Sequence, residues 1–194
     1  MFLKKQVILF KRCTDIEAYL SSFENIGFAI KEKEVEFVIK DAPKEYIKTV
    51  GEIKGLTTLG NSDGSVTLLS RADGSSVVTG FYTKKTGVSD VLGVSTLTDK
   101  CIWSTKEKTV VFCAVPQFIS SGTYPDDWYK GKISFNDALW RINTADGSTE
   151  ELFSPEFETG TSMDMTKLSL DQSEKTIIFT NKKDMTVWSY RLVE

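Results

Sequence analysis

A hairpin unit that recurs three times is the feature of this sequence that most constrains its fold. Residues 56–72, 101–115 and 167–183 each contain an apolar strand, a short polar turn and a second strand rich in β-branched and aromatic residues. That pattern is typical of a β-hairpin. The second strands of the first two units begin at Val66 and Val110, which are 44 residues apart. This spacing agrees with the roughly 40 to 45 residues of a four-stranded propeller blade.

The third unit is displaced by a long insertion. Its second strand begins at Ile177, 67 residues after that of the preceding unit, and the insertion at 116–137 accounts for the excess. A third strand is predicted after each hairpin, at residues 75–84, 138–144 and 186–194. The Asp146-Gly147 turn then leads into a fourth strand at 149–153, which completes one blade. The sequence therefore predicts an all-β fold, a partial or small β-propeller of about three to four antiparallel blades.

The first fifty residues fit the repeat less well. Residues 28–41 resemble the hairpin units, including a Lys-Glu-Lys turn, and residues 13–27 have the capping residues and the apolar face of a short helix. We expect a divergent segment at 1–50, made of a short strand, a helix and a hairpin. The propeller blades are then expected at 51–194.

Composition argues against several classes of function. The 194 residues include no His, which removes the Ser-His-Asp triad and most zinc sites. Lys and Arg number 24 against 27 Asp and Glu, so the net charge is only −3 and does not favour a nucleic-acid partner. No motif indicates a catalytic residue, a cofactor or a metal. The sequence thus predicts that the protein is not an enzyme and needs no cofactor.

The N-terminus gives no clear targeting signal. The apolar run from Val7 to Phe10 is interrupted at once by Lys11 and Arg12, which makes it too short for the core of a signal peptide. No segment approaches the roughly 20 apolar residues that span a bilayer. A short buried strand is the expected structure of this run.

Cys101 and Cys113 flank the turn of one predicted hairpin. If that turn is centred on Glu107, the two residues lie opposite each other on adjacent strands, close enough for a disulfide. A change of one residue in turn length would send their side chains to opposite faces and leave two buried thiols. Both outcomes remain open. A disulfide would favour a location outside the cytosol.

The insertion at 116–137 is the candidate site, because loops of this length are uncommon unless they are functional. Aromatic rings beside carboxylates suit the recognition of sugars or peptide side chains. The candidate binding residues are Tyr124, Asp126, Asp127, Trp128 and Tyr129. The same sequence also fits an ordinary turn at 124–127, with Trp128 and Tyr129 anchoring the insertion to its blade, and this structural role is the favoured interpretation.

The stretch LWRINTADGSTEELFSP, together with the hairpins around it, resembles TolB-like and WD-repeat-like β-propellers. The segments GLTTLGNSDGS, KCIWS and NKKDMTVWSYRL, and the stretch from Val110 to Ile142, look like the C-terminal half of an uncharacterised bacterial family of membrane-anchored propeller proteins. The resemblance covers about 51–194 and is most specific from Cys101 to Ile142. It implies an extracytoplasmic or membrane-associated location, although the upstream blades and the anchor of that family have no counterpart here.

The predicted function is that of a non-enzymatic interaction module that binds a protein or a cell-envelope partner, since blades form a stiff scaffold with variable loops. The alternative is a carbohydrate-binding or carbohydrate-cleaving propeller that uses the aromatic insertion. A third possibility is a homodimer in which two half rings complete one propeller. Fold alone does not choose among them.

Overall fold

The computed structural model describes residues 26–31, 34–39 and 51–192. The chain divides into two compact units, Met1–Thr49 and Val50–Glu194. In the first unit, β1 (Ile26–Lys31) pairs antiparallel with β2 (Glu34–Ile39). The predicted short strand lies outside the described residues. So does the predicted helix, except for its last two positions, Ile26 and Gly27, which belong to β1.

The second unit consists of three antiparallel sheets, and each sheet is a meander with its strands in chain order. Blade 1 contains β3 (Thr57–Gly60), β4 (Val66–Asp73), β5 (Ser76–Thr83) and β6 (Val88–Val91). Blade 2 contains β7 (Cys101–Trp103), β8 (Val110–Pro116), β9 (Asp137–Asn143) and β10 (Thr149–Phe153). Blade 3 contains β11 (Met165–Leu170), β12 (Thr176–Asn181) and β13 (Thr186–Arg191). The predicted fold class, an all-β partial propeller, is therefore confirmed.

Short helical segments connect the strands. A 3₁₀ turn at Thr98–Lys100 immediately precedes β7. Two short helices follow, α1 (Asp126–Tyr129) within the insertion and α2 (Pro155–Thr159) between blades 2 and 3. Among the described residues, no helix has the length and hydropathy needed to cross a membrane.

Blade 2 lies between the other two blades, and its strand β8 is buried along its whole length. Successive side chains of a strand point to opposite faces, so a strand that is covered on both faces needs an uninterrupted apolar run. The sequence VVFCAVP supplies that run. Val111 and Cys113 pack in the cluster shared with blade 1, whereas Val110 and Phe112 pack in the cluster shared with blade 3.

The interface between blades 1 and 2 is mainly apolar. Leu68 and Phe81 of blade 1 pack in one cluster with Trp103 and Ile142 of blade 2. The Trp103 indole donates a hydrogen bond of 2.9 Å to the carbonyl of Leu59, so its polar atom is satisfied as the ring is buried.

The interface between blades 2 and 3 joins Leu139 to Ile177 and Phe179 in a second apolar cluster. The rings of Phe153 and Tyr190 stack across it, with their centroids 4.7 Å apart. At the strand ends opposite the insertion, Glu174 accepts hydrogen bonds from the Ser104 hydroxyl and from the Thr105 amide.

Cys101 lies directly opposite Cys113 in the register of β7 and β8, the arrangement that a turn centred on Glu107 predicts. The Cα atoms are 4.1 Å apart, and a disulfide joins the two residues. The bond closes the β7–β8 hairpin on the face that blade 2 turns toward blade 1.

Candidate functional site

Residues 117–136, which connect β8 to β9, form a folded segment that we call the strap. The Gly122 amide of the strap donates a hydrogen bond of 2.9 Å to the Ser75 carbonyl of blade 1. The Trp128 indole donates to the carboxylate of Asp164, just before β11 of blade 3, at 3.1 Å. The strap thus starts and ends on blade 2 and is attached to both of its neighbours.

The inner side of the strap is an aromatic cluster. Tyr124, Trp128 and Phe135 pack with Val77 and Leu97 of the segments beneath. Tyr124 and Trp128 are each only 3% exposed. The expectation that these two rings bind a ligand is therefore corrected: burying their apolar area stabilises the fold, and it leaves them inaccessible. They have the anchoring role that the sequence left open.

Close packing also fixes the strap against blade 1. Gly55 adopts φ of +64°, and a Cβ atom on it would come within 2.4 Å of the Tyr124 carbonyl oxygen. Only glycine satisfies both the left-handed backbone and this approach. At the same time the Tyr124 hydroxyl donates to the Ser120 carbonyl at 2.6 Å, so the buried phenol has a partner.

Asp127 stabilises the backbone around helix α1 rather than facing solvent as a binding residue. Its carboxylate accepts a hydrogen bond of 2.8 Å from the Thr123 amide and lies 3.3 Å from the Lys132 ammonium. The amide hydrogen bond lowers the pKa of Asp127, and the lysine adds to that effect. The residue therefore stays ionised and stabilises the short helix α1.

Lys100, Asp137 and Asp164 form a cluster under the strap, which we call the buried ion cluster. The side chains of all three are 0% exposed. The Lys100 ammonium is 2.8 Å from an Asp137 oxygen and 2.5 Å from an Asp164 oxygen, and it donates to the Met165 carbonyl at 2.8 Å. Aromatic rings of the strap, those of Trp128 and Phe135, lie 5.0 and 5.1 Å from the same ammonium. The cluster therefore joins blade 2, blade 3 and the strap.

The two carboxylates of this cluster have different environments. Asp164 accepts hydrogen bonds from four groups, contributed by Lys100, Trp128, Ser134 and the Phe135 amide. Burial opposes its ionisation, but Lys100 and these donors prevail and lower the pKa of Asp164. One oxygen of Asp137 binds Lys100 and the Met165 amide, while its Oδ1 accepts no hydrogen bond within the described part of the chain. Burial raises the pKa of Asp137 to about 6.

No local sequence pattern indicates this cluster, because its three members are far apart in the chain. One signal was present. Lys100 directly precedes β7, Asp137 begins β9 and Asp164 directly precedes β11, so each charged residue lies at the start of a core strand. Charged residues are rarely buried unless they are paired, and such positions are where a pair can form between blades.

The outer side of the strap carries the remaining predicted residues. Tyr129 is 49% exposed, and its hydroxyl donates a hydrogen bond of 2.8 Å to Asp99. Partial burial and this carboxylate raise the pKa of Tyr129 to about 12. Asp126 is exposed and pairs with Lys130 at 3.3 Å. Of the five predicted binding residues, Asp126 and Tyr129 are thus the ones that lie on the outer surface.

Two phenylalanines that the sequence analysis did not single out are also on the surface. Phe118 of the strap is 76% exposed and Phe157 of α2 is 90% exposed. The segments that carry them are connected, because Gln117 donates to the Ser154 hydroxyl at 3.0 Å and Asn136 donates to Glu156. Exposed aromatic rings of this size are candidate anchors for a partner, since aromatic side chains are enriched at interfaces.

A shallow groove of about 540 Å³ lies between blade 1 and the β9–β10 turn, at the opposite end of β9 from the strap. Phe81, Val88 and Val91 line it together with Asp90 and Asp146. Within the described residues, no group of three or more carboxylate or Cys side chains is arranged to hold a metal ion.

No protein-family model matches the chain, and no curated protein does. Among solved structures, the chain is similar to an oligogalacturonate lyase in complex with manganese, at 14% identity and a TM-score of 0.45. The alignment covers 83% of this chain and 42% of the lyase, so the chain spans less than half the length of the protein that it matches.

This comparison corrects the prediction that the chain is not an enzyme. The matched protein is named as a lyase, so the prediction of a non-enzyme is withdrawn. Similarity at this identity and TM-score assigns neither an activity nor a metal to the chain, and the fold assignment rests on the sheets themselves.

Proposed function

We propose that this chain is a propeller-type interaction module that binds a protein partner through the outer side of the strap and helix α2. The observation that supports this most is the pair Phe118 and Phe157, with large apolar rings at 76% and 90% exposure. Rings of this kind act as anchors when a partner covers them, because their burial contributes much of the binding energy.

The scaffold beneath these rings is rigid, which lowers the entropic cost of binding. The strap is attached to blade 1 through Gly122 and to blade 3 through Trp128. Exposed glutamates flank Phe157 along the chain, at positions 150, 151, 156 and 158. The partner surface is therefore expected to combine an apolar pocket with Lys or Arg side chains.

We also propose that the chain is related to the membrane-anchored bacterial propeller proteins that its sequence resembles. The resemblance to membrane-anchored bacterial propellers makes a cell-envelope protein the expected partner. A carbohydrate ligand is less well supported, since Tyr124 and Trp128 are buried and the exposed aromatic residue among the candidates is Tyr129.

The test compares three immobilised proteins for what they retain from a detergent-solubilised envelope fraction of the source cell. They are the wild type, a Phe118→Ser/Phe157→Ser double variant and a matched Val88→Ser/Val91→Ser variant of the exposed strand β6. We expect the wild type and the β6 variant to retain a protein that the double variant does not retain. Direct titration of that purified protein should show tight binding to the first two and weak binding to the double variant. Identical retention by all three contradicts it.

Two further measurements separate the alternatives. A glycan array with wild type and Tyr129→Ala tests the carbohydrate alternative, and specific sugar binding that the substitution abolishes would favour it. Light scattering at micromolar concentration tests the homodimer. A dimer that the Phe118→Ser/Phe157→Ser variant disrupts would identify the partner as a second copy of the chain.

A further inference from the structure

The buried ion cluster has an imbalance of charge that its other contacts do not remove. It places one ammonium, that of Lys100, against the carboxylates of Asp137 and Asp164, all of them fully buried. When all three groups are ionised, the cluster holds an excess negative charge away from water. An isolated buried charge is costly, and a buried group of this kind tends to take up a proton instead.

The geometry identifies where a proton would bind. Both oxygens of Asp164 accept hydrogen bonds from the strap or from Lys100, so protonation there would break contacts. Asp137 binds Lys100 and the Met165 amide through Oδ2 alone, and its Oδ1 accepts no hydrogen bond from the described residues. A proton on Oδ1 therefore neutralises the excess charge and leaves every existing hydrogen bond in place.

We propose that Asp137 is a proton-binding switch that fastens the strap more firmly to the blades in mild acid than at neutral pH. The strap is connected to the cluster through Asp164, which accepts from Trp128, Ser134 and the Phe135 amide. While Asp137 is ionised, it repels Asp164 and shares the Lys100 ammonium. Once Asp137 is neutral, the repulsion is removed and the Lys100 charge faces the single carboxylate of Asp164, so the strap contacts become stronger.

Within the described part of the chain, the charged groups that face Asp137 are those of the cluster itself. Lys100 comes from the 3₁₀ turn before β7, and Asp164 comes from the segment before β11. Lys182, after β12, lies 4.4 Å from the centroid of the Trp128 ring and donates to the Trp128 carbonyl. On the outer surface, Asp99 is engaged with Tyr129.

The direction of the effect follows from linkage. Burial, with Asp164 adding to it and Lys100 opposing it, raises the pKa of Asp137 from 3.8 to about 6. The folded chain therefore binds this proton more tightly than the unfolded chain does. Stability from this group increases as pH falls from about 7 toward 5, and it is lost as pH rises through 6.

The direct test is an NMR titration of the wild-type protein with ¹³C-labelled Asp carboxyl groups. We expect one carboxyl resonance with a midpoint near pH 6 that is missing from the Asp137→Asn variant. If no Asp carboxyl of the wild type titrates above pH 5, the proposal is overturned. This outcome does not depend on whether the variant folds.

Stability and exchange then test the consequence. For the wild type, the unfolding equilibrium constant should be about tenfold smaller at pH 5 than at pH 7.5. Asp137→Asn should remove that difference, and Asp90→Asn, on the exposed strand β6, should keep it. Amide exchange, corrected for its intrinsic pH dependence, should slow in peptides of the strap relative to those of β4 at the lower pH. Equal pH profiles for Asp137→Asn and the wild type would refute the switch.

Discussion

The two interfaces between blades are built from different chemistry. Blades 1 and 2 meet through apolar side chains, and the Trp103 indole satisfies its one polar atom on Leu59. Blades 2 and 3 also share an apolar cluster, but the buried ion cluster lies at one end of their interface and Glu174 at the other. The first interface contains no buried charge among its described contacts, whereas the second depends on charges that solvent conditions alter.

The difference shows what apolar contacts and ionic contacts each contribute to the stability of an interface. Apolar burial stabilises both contacts without strong directionality, since it scales with area. The ion cluster gains little net energy after desolvation, but loss of Lys100 would leave two buried carboxylates without a cation. The second interface should therefore be sensitive to pH and to loss of a charged side chain, whereas the first, with no buried charge among its described contacts, should be insensitive to pH.

The largest expected effect is that of Asp164→Asn. The substitution removes the charge that pairs with Lys100 and puts an amide donor where Ser134 and the Phe135 amide already donate. We expect a loss of about 3 to 5 kcal/mol in the free energy of unfolding, because several hydrogen bonds to one charged acceptor are weakened together and each contributes about 1.5 to 3 kcal/mol. Urea denaturation at pH 7.5 measures it, with Asp90→Asn as the exposed control. A loss equal to that of the control would show that the cluster does not hold the second interface.

The next effect concerns the first interface. The Cys101–Cys113 disulfide closes a loop with a sequence separation of 12 residues. Replacing both cysteines by Ala should lower the free energy of unfolding by about 3 kcal/mol, because the unfolded chain regains its freedom. The loss should be the same at pH 5 and pH 7.5, and dithiothreitol should affect the wild type but not the double variant. A loss that differs between pH 5 and pH 7.5 would show that the first interface is also sensitive to pH.

The smallest effect is expected for Glu174→Gln, at the solvent-exposed end of the second interface. Partial burial disfavours ionisation, but hydrogen bonds from Ser104 and Thr105 outweigh it and lower the pKa of Glu174. We expect a loss of about 1 kcal/mol at pH 7, typical of one weakened hydrogen-bonded contact. Because the folded pKa is lowered, this contribution is present above the unfolded pKa and lost as pH falls through the folded one. The difference in unfolding free energy between the variant and the wild type should therefore be smaller at pH 3 than at pH 7. Denaturation curves of both proteins at the two pH values measure this.

Local patterns predicted much of the blade architecture. The recurring hairpin unit located the strands, and the spacing of Cys101 and Cys113 allowed their pairing across one hairpin, which the register shows. The insertion was found within a residue at each end, since β8 ends at Pro116 and β9 begins at Asp137. These features depend on neighbours in the sequence or on strand geometry, both of which the residue pattern encodes.

Local patterns could not predict which side chains of the strap are buried. Whether Trp128 faces water or the core depends on what lies beneath it, and that surface comes from Val77 of blade 1 and Asp164 before blade 3. The buried ion cluster likewise depends on three segments that only the packing of blades brings together. The same limit explains why Phe118 and Phe157 were overlooked, because nothing in the sequence distinguishes an exposed ring from a buried one.

Limited trypsin digestion at pH 7.5, followed by mass spectrometry, tests directly whether the strap is part of the folded core. Lys130 and Lys132 have exposed side chains on the strap, yet cleavage requires several residues around them to unfold. We expect no cut at either lysine in the wild type before global unfolding, and early cuts at both in Asp164→Asn. Cleavage at Lys130 or Lys132 in the wild type while the blades stay intact would contradict it.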